Sequence, residues 1–99
     1  MSTDPHARAQ FDLDAAWALS PQVSIRPERF GALLYHFGTR RLSFLKDPML
    51  LRVLEELPAA PDADTACERA GVTEAQLPSY RAALTTLANS QMIRRRTAA

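Results

Sequence analysis

The sequence predicts a small α+β domain, a three-stranded antiparallel sheet followed by three helices in a winged helix-turn-helix outline. Three observations carry this expectation. Two apolar segments flank Gly38-Thr39 as the arms of a hairpin would. Asp47-Pro48 then halts the sheet and opens a leucine-rich run, and Gly71 separates two further helical patterns.

The first ten residues are polar and are expected to form a flexible start. Phe11, Leu13, Trp17 and Leu19 supply apolar anchors on a segment broken by Ser20-Pro21, to which periodicity assigns neither helix nor strand. Phe11 and Trp17 either pack this segment onto its own domain, the commoner case, or anchor a partner. Val23-Ser-Ile-Arg26 alternates apolar and polar side chains and reads as the first strand, closed by Pro27. The second strand is expected over Phe30–Phe37 and the third over Arg40–Leu45, joined by a two-residue turn in which Gly38 supplies positive φ. That turn sets Tyr35 opposite Leu42 and Leu33 opposite Phe44, so these four share one side, expected to meet the helices. Leu34, His36, Arg41 and Ser43 then form a mixed outer face.

The first helix is expected from Pro48 to about Leu57, with Asp47 as N-cap, an apolar stripe of Leu50, Leu51, Val53, Leu54 and Leu57, and Pro58 as its stop. Asp62 and Asp64 suit the cap of a short second helix that ends at Ala70-Gly71. Thr73 and Gln76 match a capping box for a third helix carrying Leu77, Tyr80, Leu84, Leu87 and Ala88, with Pro78 forcing a kink or a later start. A short wing strand over Gln91–Ile93 and a basic flexible tail over 94–99 complete the pattern.

Composition excludes several classes of function. One domain of 99 residues carrying net charge +1 calls for neither nucleic acid nor a membrane surface as partner. Residues 1–10 place Asp4, Pro5, His6 and Arg8 where a signal peptide needs an apolar centre, which predicts a cytoplasmic protein. Cys67 is the single cysteine, so an internal disulfide, a multi-cysteine zinc site and a four-cysteine iron–sulfur cluster are all ruled out, and a buried packing role is expected. No catalytic set emerges: His6 and His36 lack metal-ligand spacing, Asp12 and Asp14 are a plain carboxylate pair, and Gly31, Gly38 and Gly71 form no phosphate loop. The sequence therefore predicts a non-enzyme with no cofactor and no metal. The helix-turn-helix outline raises the alternative of a winged-helix DNA-binding regulator. Only Glu74 and Arg81 are charged between Thr73 and Asn89, a poor supply of phosphate contacts for a recognition helix.

What the outline leaves is an open sheet edge at the third strand. The words Trp17-Ala-Leu-Ser-Pro-Gln-Val-Ser-Ile-Arg-Pro-Glu28 and Phe30-Gly-Ala-Leu-Leu-Tyr-His-Phe-Gly-Thr-Arg-Arg-Leu-Ser-Phe-Leu-Lys46 sharpen its meaning. Together with the element order they resemble the PqqD-like recognition domains that serve ribosomally made, post-translationally modified peptides, and within them the chaperone family of mycofactocin biosynthesis. The resemblance runs from about Phe11 to Ile93 and is most specific over Tyr35–Leu45. It implies a non-enzymatic chaperone that binds the acidic leader of a precursor peptide and presents it to a radical S-adenosylmethionine maturase, which holds the cluster and the cofactor. It also implies that the leader lies beside the third strand, at Arg40, Arg41, Leu42, Ser43, Phe44 and Leu45, and against the last helix, at Tyr80, Arg81, Leu84, Leu87 and Ala88. An extended peptide adds to such an edge through main-chain hydrogen bonds, and a proline at Ser43 is expected to weaken it by removing a donor. Arg40, Arg41 and Lys46 would draw in acidic residues, or equally protect the edge from wrong pairing.

Overall fold

The computed structural model describes residues 12–29 and 31–96. The expected flexible start at 1–10, Phe11, Phe30 and tail residues 97–99 lie outside them. Eight elements follow in order: β1 (Trp17–Leu19), β2 (Val23–Glu28), β3 (Gly31–His36), β4 (Leu42–Leu45), α1 (Pro48–Glu56), α2 (Ala63–Ala70), α3 (Leu77–Asn89) and β5 (Ile93–Arg95). β2, β3 and β4 form the expected antiparallel sheet in that order, and β1 pairs with β5 in a separate two-stranded ribbon.

Local chemistry fixes the helix ends as the sequence suggests. The Asp47 carboxylate accepts the Met49 N–H at 2.9 Å with Pro48 in the first turn, and Asp62 accepts the Thr65 N–H at 2.7 Å. Gly71 ends α2 in the left-handed region, at φ 101°. Thr73 and Gln76 do form a reciprocal capping box, with Thr73 N–H donating to Gln76 Oε1 at 3.0 Å and Gln76 N–H to Thr73 Oγ1 at 3.3 Å. Of the two outcomes open for Pro78, the later start is realised, because α3 begins at Leu77.

The strand register is as expected: Tyr35 pairs with Leu42 and Leu33 with Phe44. The buried face is the opposite one. Ala32 and Leu34 are fully buried, His36 and Leu45 nearly so, whereas Leu42 and Phe44 are exposed. β2 decides the matter, since Val23 pairs with His36 and Ile25 with Leu34, which places both on the side of Leu34 and beneath the helices. Leu33, Tyr35, Leu42 and Phe44 therefore form the outer face.

The hairpin turn also differs from expectation. Positive φ belongs to Arg40, at 64°, and the loop spans Phe37 to Arg40, closed by Arg40 N–H donating to the His36 carbonyl at 2.7 Å. The buried His36 ring is the cause: its Nδ1 accepts the N–H groups of Gly38 and Thr39 at 3.0 and 3.1 Å, so the imidazole organises four residues where two were expected. A Cβ at Gly38 would stand 2.3 Å from Gln22 Oε1, which would have to move aside.

The core is built from Leu34, Leu54, Leu57, Leu84, Met92 and Ile93, each essentially inaccessible and each contributing about 1.5–3 kcal/mol of burial. Cys67 is buried among them, and burial pushes its thiol up to about 11. The unassigned N-terminal segment becomes β1, with Trp17 in the core and its indole N–H on the Asp12 carbonyl. β5 lies two residues later than the expected wing, so Arg94 and Arg95 belong to a strand. Arg96 is anchored too, its N–H on the Ala16 carbonyl at 2.9 Å and its guanidinium on the carbonyls of Pro58 and Ala60. Arg94, Arg95 and Arg96, expected to open a flexible basic tail, are thus part of the fold.

Candidate functional site

β4 is a sheet edge with nothing paired on its far side among the described residues. The hydrogen-bond phase of the hairpin states which main-chain groups are open. His36 N–H donates to the Arg41 carbonyl at 3.0 Å, and in an antiparallel ladder bonded and non-bonded pairs alternate. The pairs His36–Arg41, Leu34–Ser43 and Ala32–Leu45 are consequently the bonded ones, and Tyr35–Leu42 and Leu33–Phe44 are not. Phe37 N–H donating to the Gln22 carbonyl at 2.8 Å fits the same phase, since odd positions of β3 then turn to β2. The N–H and C=O groups of Leu42 and Phe44 hence face outward, and those of Ser43 face β3. Ser43, expected to offer a donor to the edge, spends it inside the sheet.

α3 approaches this edge at both of its ends. At one end the Tyr80 hydroxyl donates to Asp47, two residues past β4. At the other, Thr39 and Arg41 share a hollow of about 240 Å³ with Asn89, Ser90 and Gln91. Tyr80 and Ser90, the residues that meet the edge at its two ends, share one helical stripe with Ala83 and Leu87. Leu77, Arg81, Thr85 and Ala88 form the adjoining stripe that turns away. Arg81 lies in a separate cleft of about 400 Å³ with Leu13 and Leu77. Ala88 lines another, of about 540 Å³, with Trp17, His36 and Ile93.

The structure thus divides the residues expected at the site. Leu42 and Phe44 present both open main chain and exposed side chains, while Arg40 and Arg41 are exposed at the start of the edge. Ser43 is half-buried and turned inward, and Leu45 is core. On the helix, Leu84 and Leu87 are core residues, Tyr80 is buried and tied to Asp47, and Arg81 and Ala88 border other clefts. Asn89 and Ser90, absent from the expected set, border the hollow beside Thr39 and Arg41. Ser90 lies at helical spacing from Tyr80, a signal readable only once the neighbour of that stripe is known. Arg40, Arg41 and Lys46 have no ion-pair partner among the described residues, which leaves the edge positively charged.

The Tyr80–Asp47 bond couples the site to the fold. Donation to Asp47 first, and burial second, push the Tyr80 hydroxyl up to about 12. The neutral phenol is the form that folding favours, so its contribution is complete below pH about 10 and is lost as pH rises through about 12. Tyr80→Phe is expected to lower stability at neutral pH and to flatten the decline of melting temperature above pH ~10. Thermal melts of both proteins across that interval check it.

Among the described residues no cluster of His, Cys, Asp or Glu is arranged to hold a metal ion, and no helix is long and apolar enough to cross a membrane.

Residues 16–94 match the model of the MftB peptide chaperone family. The chain is 52% identical over 85 residues to the peptide chaperone MftB of Mycobacterium tuberculosis, covering 86% of this chain and 78% of that protein. It is 52% identical over 83 residues to the peptide chaperone MftB of Mycobacterium ulcerans, covering 84% and 76%. Over 93 residues it is 48% identical to that of Mycolicibacterium smegmatis, covering 94% and 91%. No solved structure matches the chain.

Proposed function

This chain belongs to the MftB peptide chaperone family, and on that premise we propose that it binds the leader of a mycofactocin-type precursor peptide as an added strand on β4 and presents it to a radical S-adenosylmethionine maturase. The observation that carries the mechanism is the outward main chain of Leu42 and Phe44 on an edge flanked by α3. The helices and the β1–β5 ribbon serve, in this reading, as a PqqD-like winged helix-turn-helix turned to peptide in the cytoplasm, with DNA as the alternative ligand. Chemistry on the peptide stays with the maturase.

Magnitudes assign the work. Two outward residues exchange about four hydrogen bonds with a docked strand, worth roughly 1 kcal/mol each net, which gives only millimolar affinity or weaker. Ordering the peptide costs several kcal/mol more. Side-chain burial has to supply the remainder, and the positive edge speeds encounter with an acidic leader.

Titration of labelled leader against the protein tests the proposal, with amide shifts expected over residues 40–45 and along the face of α3 nearest β4. Steeply salt-dependent binding to duplex DNA with no response to leader would transfer the function to the alternative. Arg40 and Arg41 changed together to Glu are expected to slow leader association by about tenfold at low salt and less at high salt. Stopped-flow rates at two ionic strengths measure this, and an unchanged rate would remove the steering role.

A further inference from the structure

The outer face of the sheet carries large apolar side chains that the fold does not use. Phe37, Leu42 and Phe44 are 60%, 62% and 47% exposed, and Leu33 and Tyr35 adjoin them through the cross-strand pairs with Phe44 and Leu42. Phe37 is braced edge-on against Tyr35, with ring centroids 5.1 Å apart. A contiguous apolar patch on a chain of this size marks a contact surface.

The patch coincides in phase with the open backbone. Leu42 and Phe44 are the residues whose N–H and C=O groups face outward, and their side chains are the ones on the outer face. A strand bonded to them sets the side chains opposite Leu42 and Phe44 on that same face, about 5 Å away, and turns the intervening one inward beside Ser43 and α3. Arg40 and Lys46 stand at the two ends of this row, both exposed. A second copy of the chain, paired edge to edge about a two-fold axis, would bring Arg40 of one molecule against Lys46 of the other. Like charges opposite each other disfavour that arrangement. An acidic strand meets complementary charge at both ends.

Resting on the strand-addition reading, we propose that the leader is read on the outer face of the sheet, through two large apolar side chains two residues apart that pack beside Leu42 and Phe44, with acidic residues flanking them toward Arg40 and Lys46. Specificity then lies in an alternating pattern of the peptide, acidic and apolar side chains facing out and smaller ones facing α3.

The test uses the whole chain and a fluorescein-labelled mycofactocin-type leader. Leu42→Thr and Phe44→Thr keep the backbone and the strand preference while removing most of the apolar surface. Each is expected to weaken binding roughly tenfold. An alanine scan of the leader is expected to find two sensitive positions, two residues apart, whose effect disappears in the threonine variants. Leu42→Pro, which removes an outward donor, separates the two levels of the argument. Threonine variants that bind like the parent while Leu42→Pro does not would leave strand addition standing and overturn recognition by the outer face. Leader binding untouched by all three variants would end both. A dimer that Phe44→Thr dissolves without altering leader affinity would give the face to a second copy and likewise overturn the proposal.

Discussion

Leu42→Pro is expected to leave the domain folded and to weaken leader binding by at least tenfold, whereas Ser43→Pro should fail to fold stably. The two substitutions are neighbours and differ only in which way their N–H groups point. At Leu42 the lost donor belongs to the open edge, where proline is tolerated, and its ring also obstructs an incoming strand. Loss of one hydrogen bond worth about 1 kcal/mol together with that obstruction gives the tenfold figure. At Ser43 the donor is paired with Leu34, so proline strips the ladder between β3 and β4 and leaves a buried carbonyl unpaired. The cost there is about 2–4 kcal/mol, a large part of the stability of a domain this small. Thermal melts and leader titration of both variants decide the matter. A folded Leu42→Pro protein with parental affinity would mean that the peptide binds elsewhere.

Gly31→Ala should destabilise the fold by about 3 kcal/mol and lower the melting temperature by roughly 15 °C. A Cβ at position 31 would stand 1.7 Å from the Leu45 carbonyl oxygen and 2.8 Å from its carbon, both main-chain atoms of β4. No rotamer relieves such a clash, so β3 and β4 must separate where β4 leads into α1. The damage should extend to function, because the separation displaces the edge strand itself. A melting temperature within a few degrees of the parent's would show that the hairpin yields there at little cost.

These variants mark where the sequence was legible. Helix ends were, because Asp47, Asp62 and Gly71 act on groups within three residues of themselves. The pairing of Leu33 with Phe44 and of Tyr35 with Leu42 was legible too, since it follows from the spacing of the two strands about their turn. The choice of buried face was not: alternation distinguishes two faces without saying which is inside, and the bulk of Leu33, Tyr35, Leu42 and Phe44 pointed to the wrong one. Val23 and Ile25, paired with His36 and Leu34, held the answer. The two-residue turn is not formed because a buried histidine caps a longer loop, and the outward phase of Leu42 and Phe44 depends on how that loop closes. Long-range pairings were beyond reach for another reason. β1 with β5, and Tyr80 with Asp47 33 residues away, join segments whose local patterns are unrelated.

The anchoring of Arg96 has a practical corollary for engineering. Its N–H meets the Ala16 carbonyl, and its guanidinium holds the connection between α1 and α2. Residues 16 and 96 of this body therefore lie side by side, against the connection between α1 and α2. A tether joining these two junctions should permit new chain openings elsewhere.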